Sequence, residues 1–183
     1  MHRFMVSLAA LGVALAIAAA PASAAKGKTL VDRVVELSGA SGFDSEDGDF
    51  DILRDAVLAT GLDRKLAGTR QLTVFAPPDS AFLELTGAAS EQEAFDAVAA
   101  LGLPAVKDVL KYHVAPGRRA AKQVVGAKRI PTLLKDEILR KRKRSTTLKD
   151  ATDRKVEIVA PDAANASNGI IHVIDGVLLP FEP

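Results

Sequence analysis

"LTVFAPPDSAF", residues 72–82, opens as a strand and closes as the start of a helix. Leu72 to Phe75 have the apolar and β-branched character of an incoming strand. Pro77 and Pro78 fix φ and withhold two backbone donors, so a hydrogen-bonded ladder stops there. Asp79 and Ser80 follow, where side-chain oxygens take the free N–H groups of a first helical turn and a carboxylate complements the helix dipole. Phe75 and Phe82 are expected to anchor the corner in the core on either side. On this reading the corner is architecture and needs no chemistry.

Upstream of the corner the pattern is helical. Thr29 suits an N-cap for "LVDRVVELSG", whose Leu30, Val31, Val34 and Val35 form an apolar stripe that Gly39 stops. After the acidic "DSEDGDFD", "FDILRDAVLATGL" places Ile52, Leu53, Ala56 and Val57 on one face, with Gly61 at the left-handed C-terminal position. Downstream, Ser90 and Glu93 have capping-box spacing ahead of Phe95, Val98 and Leu101. Pro104 fits the first turn of a further helix, "AVKDVLKYHV", which "APG" ends. From about Thr132 onward, "TLLKDEILRKRKRS", "DRKVEIVAP" and "GIIHVIDGVLLP" read as strands, the last apolar on both faces like a central strand. Helices followed by strands predict an α+β domain, without alternating parallel α/β order.

The chain has 183 residues, which suits one domain better than two. Residues 1–24 carry Arg3, a continuous apolar run and Ala22-Ser23-Ala24, the three parts of a cleaved secretory signal. The apolar run, Met5 to Ala20, is short for a membrane span of ~20 residues. The expected domain is therefore 25–183, secreted or periplasmic. Without Arg3, 23 basic side chains face 23 acidic ones, so no bulk attraction draws it to nucleic acid. There is no cysteine, hence neither a disulfide nor a lipidated leader. Aromatics are only 4%, so the core rests on Val, Leu, Ile and Ala.

"SNGIIHVIDGVLLP" repeats the logic of the corner at the other end of the chain. Asn168-Gly169 supplies a tight turn, the strand runs through Ile174, and Asp175-Gly176 breaks it. His172, inside that strand, requires either a buried partner or a cavity. Three boxes now stand in order: "TVFAP-x-D-x-AF" over Thr73 to Phe82, a Tyr112-His113 pair closing a helix, and "NG-x-IHVID-x-VLLP" over Asn168 to Pro180. Together they resemble the fasciclin domain, over essentially all of the chain after the leader.

The resemblance implies an N-terminal helical layer packed on a wedge-shaped β-sandwich, in a non-enzymatic adhesion module of secreted or surface proteins. The family usually has Thr or a similar small polar residue where this chain has Pro78. The Asp-Ile-Leu sequence of integrin-contacting animal members is replaced by "PDAANAS", so an integrin role does not transfer. Tyr112 and His113, linked to adhesion in animal members, are candidate contact residues, although packing at a helix end is their simpler role. A hydrogen bond from His113 to Asp79 is expected to lock the corner to that helix.

Other chemistry is poorly supported. Ser80, His113, His172 and Asp175 are the residue types of a triad, but no GxSxG elbow surrounds Ser80. No metal is expected: the later histidines are far apart, and the acidic loop lacks EF-hand order. No cofactor is implied. The remaining candidate site is the run Arg140, Lys141, Arg142, Lys143 and Arg144, with Arg154 and Lys155 as its extension. Either its charges discourage edge-to-edge sheet pairing, or they dock an acidic polysaccharide or anionic lipid headgroups. The expected function is a non-enzymatic module binding cell-surface or matrix macromolecules. The alternative is a carrier holding a small apolar ligand, lipid or pigment, in a cleft.

Overall fold

A computed structural model describes residues 27–181, apart from positions 40, 41, 44, 45, 47, 136, 142 and 143. The proposed signal segment, Arg142 and Lys143 lie outside the described residues. The α+β expectation is met: seven helices and seven strands are described.

The helical layer begins with α1 (Leu30–Leu37), α2 (Asp51–Ala59) and the single turn α3 (Asp63–Leu66). Thr29 caps α1 in a full capping box with Asp32. Strand β1 (Leu72–Ala76) enters the corner, and α4 (Asp79–Thr86), α5 (Glu91–Ala99) and α6 (Leu103–Tyr112) follow. The Ser90 hydroxyl accepts the Glu93 amide at the start of α5, and Pro104 sits in the first turn of α6.

The rest of the chain is β2 (Val114–Pro116), α7 (Ala121–Gly126), β3 (Arg129–Pro131), β4 (Ile138–Lys141), β5 (Thr147–Lys149), β6 (Lys155–Ala166) and β7 (Gly169–Ile174). The strand order is β2-β1-β7-β6-β5-β4-β3. As its doubly apolar sequence implies, β7 is central, running parallel to β1 and antiparallel to β6. Two features differ from the sequence reading. "APG" does not merely end α6, because Val114–Pro116 forms a strand on β1. The strand seen in "KVEIVAP" continues to Ala166, carried past Pro161 by two register shifts in β6.

Alternation along β1 and β7 divides the interior in two. Leu72, Val74 and Ala76 join Ile171 in a core under the helices, with Leu30, Ile52, Leu53 and Phe82. Phe75 and Ile174 face a second core with Tyr112, Ile130, Leu139, Leu148, Val156 and Leu178. Leu133, just past β3, donates its amide to Val114 O of β2 at 2.7 Å. The two ends of the strand order thus meet around the second core, which makes the wedge-shaped sandwich from one curled sheet.

Candidate functional site

At the corner, Asp79 is fully buried and begins α4, but it does not cap its own helix. Its Oδ2 accepts the Asp51 amide at 2.8 Å and its Oδ1 the Ile52 amide at 3.0 Å. The corner therefore holds the N-terminus of α2, which has no side-chain cap of its own. The expected bond from His113 is not formed. Asp79, Asp49 and Asp51 come within 4.8 Å of one another. Burial, followed by a hydrogen bond with Asp49, pushes the Asp79 carboxyl up to about 8 against the lowering effect of the two amides. These oxygens already serve the fold: Asp79 takes two amides, and Asp51 pairs with Arg54.

His113 is held elsewhere. Its Nδ1 donates to Val109 O at 2.8 Å, one turn back, and its Nε2 accepts the Leu178 amide at 2.9 Å. That pattern defines a neutral imidazole, and burial depresses its pKa to about 4. Tyr112 is fully enclosed in the second core, and burial raises the pKa of its hydroxyl. The Tyr112-His113 pair therefore presents no surface to a partner in this conformation; it ties α6 to the C-terminal segment.

The other box residues are bound just as tightly. Thr73 Oγ1 donates to Gly117 O at 2.7 Å and accepts the Arg119 amide at 2.9 Å. Phe75 stacks on His172 with ring centroids 5.6 Å apart, and Phe82 lies in the core under the helices. Nδ1 of His172 accepts the Asp162 amide and Nε2 donates to Arg119 O, so the partner its burial demanded is present twice. Burial lowers its pKa. With both rings engaged at both nitrogens, neither histidine offers Ser80 a free base.

Asn168 is the most connected of these side chains. Its Oδ1 accepts the Leu30 amide at 2.9 Å, and its Nδ2 donates to Leu66 O and Gly68 O, each at 2.6 Å. It thereby joins the start of α1 to the end of α3 from the β6–β7 turn. A Cβ on Gly169 would lie 2.3 Å from Leu72 O and 2.7 Å from Leu30 Cδ1, so glycine is required where β7 crosses β1. Asp175 ends β7 by accepting the Glu157 amide at 2.7 Å.

Two structural carboxylates were not singled out from sequence. Asp150 Oδ1 accepts the Thr152 and Arg154 amides and its Oδ2 the Leu179 amide. Asp162, in a left-handed conformation at φ 55, caps α7 through Ala121. The D-x-T signal of a turn was present at Asp150, whereas only the fold brings Asp162 to α7.

Of the basic run, Arg140 and Lys141 lie on β4, and Arg144 is an exposed turn residue at φ 64. Near Arg140, a recess of about 140 Å³ is lined by Arg129, Glu137, Ile138, Asp150 and Ala151. The apolar groove between α1 and α2, lined by Val31, Val35 and Leu58, has about 10 Å³ of space. No helix among the described residues is long and apolar enough to cross a membrane.

Comparison with known proteins agrees with this arrangement. The sequence profile of the Fasciclin domain matches residues 48–180. Protein sll1483 of Synechocystis sp. is 35% identical over 137 residues, covering 72% of this chain and 67% of its own length. Transforming growth factor-beta-induced protein ig-h3 of Sus scrofa is 30% identical over 138 residues, 72% of this chain but only 18% of that protein. The FAS1 domain pair from the insect cell adhesion molecule fasciclin I superposes with a TM-score of 0.61 over 83% of this chain and 51% of that one, at 21% identity. The chain thus spans about half of that structure and a small part of the pig protein. With the three sequence boxes, the double core and the profile match in agreement, the chain belongs to the fasciclin domain family.

Proposed function

We propose that this protein is an exported, non-enzymatic adhesion module that attaches to cell-surface or matrix macromolecules through charged surface contacts. Fasciclin domains are in general adhesion and interaction modules, and the insect protein of similar fold is a cell adhesion molecule. The observation that carries the reading is where the signature side chains are spent. Thr73, Asp79, His113, Asn168 and His172 all direct their polar atoms into the fold. Specificity is left to the exposed surface, on which Arg129, Arg140 and Arg144 stand out around β4. The leader at residues 1–24 supports export.

A carrier role finds little room. The apolar groove between α1 and α2 has space for about one water, far short of a lipid or pigment. A binding screen of the purified protein against glycans, anionic vesicles and cell surfaces tests the reading across a salt series. Attachment that weakens steeply with salt is expected. A co-purifying apolar molecule, with no surface attachment at any ionic strength, would favour the carrier.

A further inference from the structure

A second cationic feature of the surface is set by strand register and not by adjacency in sequence. Cross-strand register sets Arg129 of β3 opposite Arg140 of β4, Arg140 opposite Lys149 of β5, and Lys149 opposite Lys155 of β6. Directly opposed residues share a face of the sheet. Their neighbours Ile130, Leu139, Leu148 and Val156 fill the second core, so this face looks outward. Four cations therefore form a row at right angles to the strands, at the strand spacing of about 4.8 Å and over roughly 14 Å.

Sheet protection does not account for the row. Charges that discourage strand addition belong on an edge strand, and of the four strands that carry the row only β3 is at an end of the order. Lys149 and Lys155 lie on β5 and β6, which have neighbours on both sides. Like charges directly opposite one another are unfavourable in an isolated sheet, and the carboxylates nearby relieve them only in part: Asp153 also feels the charge of Arg140, and Glu84 and Asp175 line a recess with Lys155. Lys149 pairs with Asp153 at 3.0 Å, a side chain that is itself 74% exposed. No carboxylate among the described residues forms an ion pair with Arg129, Arg140 or Lys155. Glu137 and Asp150 line the recess beside the two arginines, but Asp150 directs both oxygens to backbone amides.

We propose that Arg129, Arg140, Lys149 and Lys155 form a ladder that binds a linear acidic polysaccharide lying across the strands. This rests on the surface-attachment reading above and assigns its ligand class. A polyuronate carries one carboxylate per sugar ring along an extended chain, a one-dimensional charge array that a single row can follow. A lipid surface would use a broader patch with apolar side chains to insert, and Val159 is the one large exposed apolar residue on this stretch of sheet among those described.

The test measures binding of the purified protein to soluble polygalacturonate by calorimetry, with neutral dextran and phosphatidylglycerol-containing vesicles in parallel. Arg129→Gln/Lys155→Gln removes the ends of the row and leaves the sequence run intact. Arg142→Gln/Lys143→Gln does the reverse. Arg129, Lys155, and the controls are compared at matched thermal stability, so that unfolding is not scored as lost binding. The first pair is expected to weaken polygalacturonate binding roughly tenfold, the scale of two exposed ion pairs, and the second to leave it nearly unchanged. If the second pair alone weakened binding, the ladder would be wrong while surface attachment through the run survived. Binding to vesicles but not to polygalacturonate would also overturn the ladder. Binding to neither probe would overturn it too, and if attachment to cells were also missing the adhesion reading would fall with it.

Discussion

The side-chain oxygen of Asn168 receives the backbone amide of Leu30 at 2.9 Å, across 138 positions of sequence. The same amide group of Asn168 closes the end of α3 through Leu66 O and Gly68 O. One residue in a hairpin turn thus satisfies backbone groups at two helix termini, positions where orphaned donors and acceptors are otherwise costly.

Replacing it tests that role. Asn168→Ala is expected to destabilise the domain by about 3 kcal/mol or more, because each stranded buried group costs ~1–3 kcal/mol. Asn168→Asp should be worse than Ala near neutral pH, since a carboxylate oxygen would face two carbonyls. Urea unfolding followed by circular dichroism measures both; equal stability of the three proteins would refute the assignment.

Gly169 makes a sharper comparison. Gly169→Ala forces a Cβ to 2.3 Å from the Leu72 carbonyl, which belongs to the paired strand. Gly87→Ala, at φ +68 with open space around it, carries only the left-handed penalty of about 1–2 kcal/mol. We expect Gly87→Ala to fold with a lowered midpoint and Gly169→Ala to be recovered largely unfolded. Thermal melts of the two variants decide it.

The position of these residues was legible in sequence; their partners were not. Turn chemistry, proline breaks and N-caps act over a few residues, so Thr29, Pro78, Ser90 and the Asp175 stop could be read locally. Asp79 reaches amides 28 and 27 residues earlier, and its local signal pointed to its own helix. His113 suggested a carboxylate partner, but a carbonyl one turn back and the Leu178 amide satisfy it first. Arg140 and Lys155 stand out in sequence, but the ladder itself does not, because Arg129, Arg140, Lys149 and Lys155 become neighbours only through register. The run from Arg140 to Arg144 is conspicuous because its charges are adjacent in sequence, whereas Arg140 is the member of that run that strand register brings into the row.

Stability should pass through a maximum in mildly acidic to neutral solution. His113 and His172 have depressed pKa values, so their contribution is present above about pH 6.5 and is lost as pH falls. For His113, a fall from 6.5 to about 4 corresponds to on the order of 3 kcal/mol. Asp79 has the opposite sign: its raised pKa gives a contribution present below the unfolded value of 3.8 and lost as pH rises through about 8. Between those values the terms oppose, with two imidazoles against one carboxyl. Unfolding free energy measured from pH 4 to pH 9 should therefore decline on both sides; a monotonic rise to pH 9 would contradict the Asp79 assignment.

The alkaline limb can be isolated at Asp49. Its carboxyl lies against Asp79, whose proton is held up first by burial and then by the bond between the two side chains. Asp49→Asn keeps the shape of the side chain and supplies permanently the N–H that the carboxyl pair obtains by binding a proton. The two amides that Asp79 accepts, from Asp51 and Ile52, are untouched. The variant should match the parent at pH 5 and exceed it at pH 8, by up to ~1.4 kcal/mol for each pH unit over which the pair would otherwise lose its proton. Asp79→Ala, which also uncaps α2, should be less stable than the parent at both pH values, by about 1 kcal/mol or more. If Asp49→Asn lowered stability equally at pH 5 and pH 8, the two carboxyls would not share a proton, and the Asp79 cap would act as an ordinary ionised one.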